Sequence, residues 1–279
     1  MSTIPITKDT RLFLSLAARP GNTGTFLFNR LFQHYGLDCI YKACLVQPGD
    51  LAAALQGFRA LGIAGGGVSM PFKEEVCKHV DFLEREAKLA GAVNTLIRLA
   101  DGRLVGHNTD FQAAVRALSS GPLSTVILGA GGSAAACCAA LLHSGASDVA
   151  VVSRDPKRAR ALAERFGFSW GSWDSLSQPP LFEQLINCTP VGMGGVSENR
   201  LALPAVVWSR LKRVIDFPIH TRETALAAEA RQRSVECVTG DTLARWQAAE
   251  QFYLYTGIRA EESLIERAPS AAEPARRAS

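Results

Sequence analysis

The feature that most constrains the fold is the run Gly129-Ala130-Gly131-Gly132-Ser133-Ala134. It directly follows a short apolar segment, Thr125–Leu128, that reads as a strand. It opens an Ala-rich segment that reads as a helix from about Ser133 to His143. Gly145 stops that helix, and Asp148–Ser153 reads as the next strand. Strand, helix and strand in that order make a parallel βαβ unit. Glycines at its first turn let the backbone turn tightly and come close to a pyrophosphate. The helix N-terminus then supplies amide donors and a favourable dipole. Gly129, Ala130, Gly131, Gly132 and Ser133 are therefore the candidate phosphate cradle of a Rossmann-type, doubly wound dinucleotide domain. The competing reading is a plain strand-to-helix turn.

The end of the second strand discriminates between cofactors. An NAD site usually places an Asp or Glu there to accept from the ribose 2′-hydroxyl. Here the strand runs Val151-Val152-Ser153-Arg154, followed by Asp155-Pro156-Lys157-Arg158. Arg154 suits the 2′-phosphate of NADP, with Arg158 and Lys157 as further partners. Asp155 falls one position late for a ribose acceptor. The bland alternative is a solvated basic helix start, although basic charge at a helix N-terminus opposes the dipole.

Around this unit the chain alternates strand-like and helix-like segments. Strands are expected at Thr10–Leu16, Cys39–Leu45 and Ile63–Ser69, and helices at Thr25–His34 and Leu51–Leu61, the latter N-capped by Asp50. Pro71 is expected to open a polar helix over Phe72–His79, with another over Asp81–Leu89. Val93–Arg98 and Leu104–His107 read as a hairpin around Asp101-Gly102, and Asn108–Leu118 as a long helix. Leu185–Asn187 and Arg213–Asp216 read as later strands of the dinucleotide sheet, and Leu243–Tyr255 as a final helix. The fold class expected is α/β throughout.

Composition removes several function classes. Lys plus Arg exceed Asp plus Glu by only 30 − 26 = 4 in 279 residues, and the basic residues are spread out, so no nucleic-acid surface is expected. No apolar stretch is long enough to span a bilayer, and the N-terminal MSTIPITKDTR does not read as a signal peptide. Seven cysteines, none at metal-ligand spacing, suggest reduced buried thiols, a cytoplasmic location and no metal. The segment after Arg267, rich in Ala, Pro, Ser and Arg, is expected to be disordered.

Two polar clusters carry the candidate chemistry: Ser69-Met70-Pro71-Phe72-Lys73, just after a strand, and Gly106-His107-Asn108-Thr109-Asp110, where the hairpin hands over to a helix. A Lys beside an Asp can share a proton and serve as general acid and base in an alcohol–ketone interconversion. Local pattern alone leaves either as a surface residue or a helix cap.

These motifs resemble those of the shikimate dehydrogenase family, in the same order along almost the whole chain. Ser69 to Lys73 is similar to the family's substrate loop with its catalytic Lys, and Gly91-Ala92-Val93-Asn94-Thr95 to the element whose Asn binds substrate. Asn108-Thr109-Asp110 resembles the motif that supplies the catalytic Asp. Gly129 to Ala134 resembles the glycine loop, and Ser153-Arg154 with Arg158 the 2′-phosphate motif. Asn187-Cys188-Thr189-Pro190-Val191-Gly192-Met193 resembles the nicotinamide-side loop, and Gly240 to Gln247 the segment whose Gln returns to the substrate.

The resemblance implies a substrate domain over 1–107 completed by 238–267, and an NADP-binding domain over 108–237. It also implies reversible NADP-dependent reduction of 3-dehydroshikimate to shikimate by a monomer or homodimer. Lys73 and Asp110 would be the acid–base pair. Asn22, Thr25, Ser69, Asn94 and Gln247 would contact substrate. Gly129 to Ser133, Ser153, Arg154, Arg158, Thr189 and Gly240 would contact NADP.

Two departures fall on substrate contacts. Asn22 and Gly24 stand where the family places two serines, and Ile219 stands where it places a Tyr. The chain is thus closest to the shikimate dehydrogenase-like branch. Quinate or an aminoshikimate is the alternative substrate, and a weakly active cofactor-binding regulatory relative is a further alternative.

Overall fold

The computed structural model describes residues 5–118, 121, 123–177, 182–193, 203–219 and 223–266. The segment after Arg267, expected to be disordered, lies outside them. The described residues form two compact units, one running up to Thr109 and resuming at Arg245, the other spanning Asp110–Ala244.

The first unit is built on a mixed six-stranded sheet. Its elements run β1 (Arg11–Ala17), α1 (Thr23–His34), β2 (Cys39–Leu45), α2 (Leu51–Ala60), β3 (Gly65–Val68), β4 (Phe82–Leu83), α3 (Arg85–Ala90), β5 (Thr95–Arg98) and β6 (Leu104–His107), in spatial order β2-β1-β3-β5-β6-β4. β1 pairs in parallel with β2 and β3, whereas β3–β5 and the hairpin β5–β6 are antiparallel. Gly65-Gly66-Gly67 fills β3 because the neighbouring backbones come very close. A Cβ at Gly66 would lie 1.7 Å from the Leu14 carbonyl oxygen. Two apolar clusters cover the sheet. One joins Leu16, Leu51, Phe58, Phe72, Val76 and Val93; the other joins Phe13, Phe28, Phe32 and Tyr41 with Phe252 and Tyr255.

Three local expectations are corrected here. The helix expected over Phe72–His79 is a turn followed by one 3-10 stretch, Glu75–Lys78. In an α-helix the Lys73 carbonyl would accept from Cys77 N. Instead Val93 N donates to it at 2.7 Å, and Cys77 N turns to Glu74 O at 3.4 Å. The helix expected over Asp81–Leu89 begins only at Arg85, because Asp81 is drawn onto the sheet edge. Its N–H donates to Leu104 O at 2.9 Å and its carboxylate accepts from Leu104 N at 2.7 Å, so Phe82–Leu83 pairs with β6. Asp50 occupies the N-cap position of α2 but makes no side-chain cap. Its backbone (φ −95°, ψ 2°) lacks the extended geometry that aims a carboxylate at the first-turn amides.

The second unit contains α4 (Thr109–Ala117), β7 (Thr125–Leu128), α5 (Gly132–His143), β8 (Val149–Val152), α6 (Pro156–Phe166), β9 (Ser169–Gly171), β10 (Gln184–Asn187), β11 (Arg213–Asp216), α7 (Ala225–Gln232) and β12 (Glu236–Val238), with α4 beginning one residue earlier in the first unit. The sheet order is β12-β11-β10-β7-β8-β9, every pair parallel. Counted from β7, that is third, second, first, fourth, fifth, sixth read from the β9 edge, the doubly wound dinucleotide order. Its four central strands, β7, β8, β10 and β11, are buried along their whole length, as parallel strands under helices must be. α8 (Gly240–Thr256) begins in this unit and ends in the first, and α9 (Glu262–Glu266) follows it. Among the described residues no helix is long and apolar enough to cross a membrane.

Candidate active site

In the second unit the glycine loop leaves β7 at Leu128, and Gly129 adopts φ +107°. A Cβ there would be strained and would lie 3.1 Å from the carbonyl carbon of Cys188, so only glycine closes this turn beside the loop after β10. Gly131 is extended at the N-cap of α5. No side chain caps that helix, and no acidic residue sits in its first turn. This is a backbone-lined helix N-terminus suited to an anion.

After β8, Ser153 is half-buried, and Arg154 and Arg158 are exposed. Asp155 has a local task. Its Oδ1 accepts from Lys157 N at 3.0 Å and Arg158 N at 3.4 Å, capping α6 with Pro156 at the first helical position. The carboxylate that sat one position late for a ribose acceptor is thus engaged by the helix it starts, and basic side chains flank it. Cradle, uncapped helix and basic flank together fit a dinucleotide bearing a 2′-phosphate.

The loop after β10 is held from beneath. Asn187 Oδ1 accepts from Thr189 N at 3.1 Å and from Thr189 Oγ1 at 2.7 Å, while Asn187 Nδ2 donates to Asp216 Oδ1 at 2.8 Å. Thr224 Oγ1 donates to the other Asp216 oxygen. Burial pushes the Asp216 carboxyl up to about 6 against the pull of those two donors. Sequence reasoning read Asp216 only as the end of a strand; the signal available was an Asp directly after the apolar pair Val214-Ile215. Gly240 opens α8 where a Cβ would lie 2.3 Å from Pro218 O, so it too is required by close backbone approach.

In the first unit, Ser69 is exposed and Lys73 half-buried in the turn after β3. Phe72 N donates to Ser69 O at 3.0 Å, closing that turn. Asn94 and Thr109 are each 1% exposed and bonded to one another. Asn94 Oδ1 accepts from Thr109 N at 2.8 Å, and Asn94 Nδ2 donates to Thr109 Oγ1 at 3.1 Å. Asn108 Nδ2 donates to Ala92 O at 2.8 Å. Asp110, 4% exposed, follows at once and opens the second unit. Asn22 is exposed at the start of α1 without making a side-chain cap, and Thr25 Oγ1 accepts from Ala43 N at 3.1 Å, tying α1 to β2. Gln247 is half-buried on α8. One turn further, Gln251 is buried and donates to Thr95 Oγ1 at 2.9 Å; sequence reasoning did not single it out.

A shikimate dehydrogenase-like protein of Haemophilus influenzae is 35% identical over 265 residues, covering 93% of this chain and 96% of that one. The shikimate dehydrogenase (NADP(+)) of Methanothermobacter thermautotrophicus is 37% identical over 242 residues, covering 83% and 85%. The chain belongs to the shikimate dehydrogenase family. Residues 24–96 match the family's substrate-binding domain. Among solved structures, the shikimate 5-dehydrogenase from Thermus thermophilus in complex with NADP(H) and shikimate superposes with a TM-score of 0.80 at 29% identity, covering 92% of this chain and 98% of that one. In this shikimate dehydrogenase relative the Lys73 turn and the Asn94–Thr109 pair belong to the first unit. The glycine loop, the basic flank and the Thr189 loop belong to the second.

Proposed function

We propose that this family member catalyses the reversible NADP-dependent reduction of 3-dehydroshikimate to shikimate. The observation that carries the reading is the α6 start. Asp155 is bonded to the helix amides while Arg154 and Arg158 are exposed beside it, a surround suited to a 2′-phosphate and ill suited to a 2′-hydroxyl. The named activity of relatives at 36–37% identity supports the same assignment. Bound NADPH supplies the hydride. Lys73 and Asp110 deliver the proton to the reacting oxygen and remove it in the reverse direction. Ser69, Asn94 and Gln247, with Asn22 and Thr25, hold the ring substituents. Gly129 to Ser133 receive the pyrophosphate, and Ser153, Arg154 and Arg158 the 2′-phosphate. Thr189, in the nicotinamide-side loop, and Gly240 complete the NADP contacts. In domain terms, residues 1–107 with 238–267 form the substrate part, and 108–237 the cofactor part.

A second substrate is favoured by specific residues. Gly24 and Ile219 remove hydroxyl donors that family members offer, so another cyclohexane carboxylate such as quinate competes with shikimate. The test is turnover of the purified protein with shikimate and with quinate, each with NADP and with NAD. Shikimate with NADP should be a working pair. Arg154→Ala should raise the KM for NADP by about tenfold or more, the scale of one charge-assisted contact, and leave that for NAD nearly unchanged. Equal effects on both cofactors contradict the assignment.

A further inference from the structure

We propose that Cys137 and Cys188 form a reversible thiol–disulfide site, which on oxidation ties the loop after β10 to α5 and weakens NADP binding. The effect on NADP rests on the reading of that loop and of the glycine turn as cofactor contacts; the cross-link itself does not.

The two sulfurs come from positions 51 residues apart and touch at 3.7 Å, both within the second unit. Their surroundings differ. Cys137 is fully buried on α5, in a run from Ala134 to Leu141 in which no residue is more than 4% exposed. Cys188 is half-buried at the start of the loop that follows β10. A thiol pair that only filled the core would be buried at both ends. Burial pushes the Cys137 thiol well above its ordinary range, so Cys137 keeps its proton. Oxidation therefore begins at Cys188, the more accessible of the two.

The oxidant is a peroxide. The Cys188 thiolate attacks one oxygen of hydrogen peroxide. An S–O bond forms, the O–O bond breaks and hydroxide leaves, giving a sulfenic acid. The Cys137 sulfur then attacks the Cys188 sulfur. The S–S bond forms, the S–O bond breaks, and the departing hydroxide takes the Cys137 proton and leaves as water. The two thiols lose two electrons, and the peroxide is reduced to water. A small dithiol reverses the reaction by exchange.

A disulfide holds its sulfurs about 2.05 Å apart, so one side must move. α5 is closely packed around Cys137 and gives little. The Cys188 side gives, and its backbone is the wall of the glycine turn. Cys188 N donates to Leu128 O at 2.8 Å, and a Cβ at Gly129 would lie 3.1 Å from both the carbonyl carbon and the carbonyl oxygen of Cys188. Thr189 follows directly. Movement of Cys188 therefore disturbs the Gly129 turn and Thr189 together.

The test is treatment of the reduced protein with hydrogen peroxide, followed by peptide mapping without reductant. Free thiols should fall from the seven present to about five, the two lost being joined in one disulfide, with Cys137 and Cys188 in the same cross-linked peptide. The KM for NADP should rise about fivefold or more, the scale of one lost hydrogen bond. Dithiothreitol should restore both. Cys137→Ala should have ordinary activity before peroxide and keep its KM for NADP afterwards. Cys138→Ala, which removes the neighbouring buried thiol, should cross-link and lose affinity as the parent does. Three results overturn the proposal: no Cys137–Cys188 cross-link, an unchanged KM in the cross-linked protein, or an equal rise in Cys137→Ala. If the unmodified protein does not use NADP, the functional reading fails, and peptide mapping still decides whether the thiol site exists.

Discussion

Asp216→Asn isolates the energetics of the group beneath the Thr189 loop. In the folded protein the Asp216 carboxyl is raised from the ordinary 3.8 to about 6, chiefly because burial penalises its charged form. Where both folded and unfolded states are protonated, below about pH 4, the group does not affect stability. As pH rises from about 4 to 6 the unfolded chain ionises it more readily than the folded one, so stability falls. Above about pH 6 the full penalty applies, about 3 kcal/mol at 1.36 kcal/mol for each pH unit. The introduced carboxamide has no such transition and can keep the local bonds. Its oxygen accepts from Asn187 Nδ2, and its nitrogen donates to Thr224 Oγ1, whose oxygen already accepts from Ala227 N. The variant should therefore match the parent at about pH 4 and exceed it by about 3 kcal/mol above pH 6. Urea unfolding across this range measures the difference. The fluorescence of Trp208 reports on the right unit, since that residue packs in the same core as Val214 and Leu226. Carboxylates held below their ordinary range, such as Asp81, favour the folded state as pH rises, and they cancel between the two proteins. Parallel stability curves would refute the argument.

Asp155→Ala should cost about 1 kcal/mol of stability through loss of the α6 cap, read by thermal or urea unfolding, without changing the KM for NAD; a selective loss of NAD would instead make Asp155 a ribose ligand. Lys73→Ala should lower kcat about 100-fold or more with NADP affinity unchanged, and near-normal turnover by folded protein would remove Lys73 from the chemistry. Gly24→Ser should fold normally, because a Cβ there meets Tyr41 Cε1 at an ordinary 3.4 Å, and should lower the KM for shikimate severalfold as a hydroxyl donor is restored.

The parts of the fold legible in the sequence were those enforced over a few neighbouring residues. The glycine loop between β7 and α5 was legible because its turn needs a positive φ at Gly129 and room for a ligand backbone-side. The Asp101-Gly102 hairpin was legible because Gly102 sits at φ +90°. Where long-range partners intervened, local pattern misled. The polar periodicity of Phe72–His79 suggests a helix, yet Val93 takes the Lys73 carbonyl from another part of the chain. Asp81 looks like a helix start until Leu104 claims it for the sheet edge. The buried bonds of Gln251 were invisible because its partners Asn94 and Thr95 lie more than 150 residues away along the chain.

By itself, the sequence determined the α/β alternation, the phosphate-binding turn, the basic flank after β8 and the order of the family motifs. Each is a statement about adjacent residues and the backbone conformations they permit. Only the tertiary structure decided the protonation of Asp216, the commitment of Asp155 to its helix and the orientation of the Asn94 carboxamide. Asp155 turns on which way its carboxylate points, and the other two on being removed from water among partners brought together from distant parts of the chain. In a dry interior a hydrogen bond's direction and a charge's cost depend on everything within a few ångströms, and no local pattern records it.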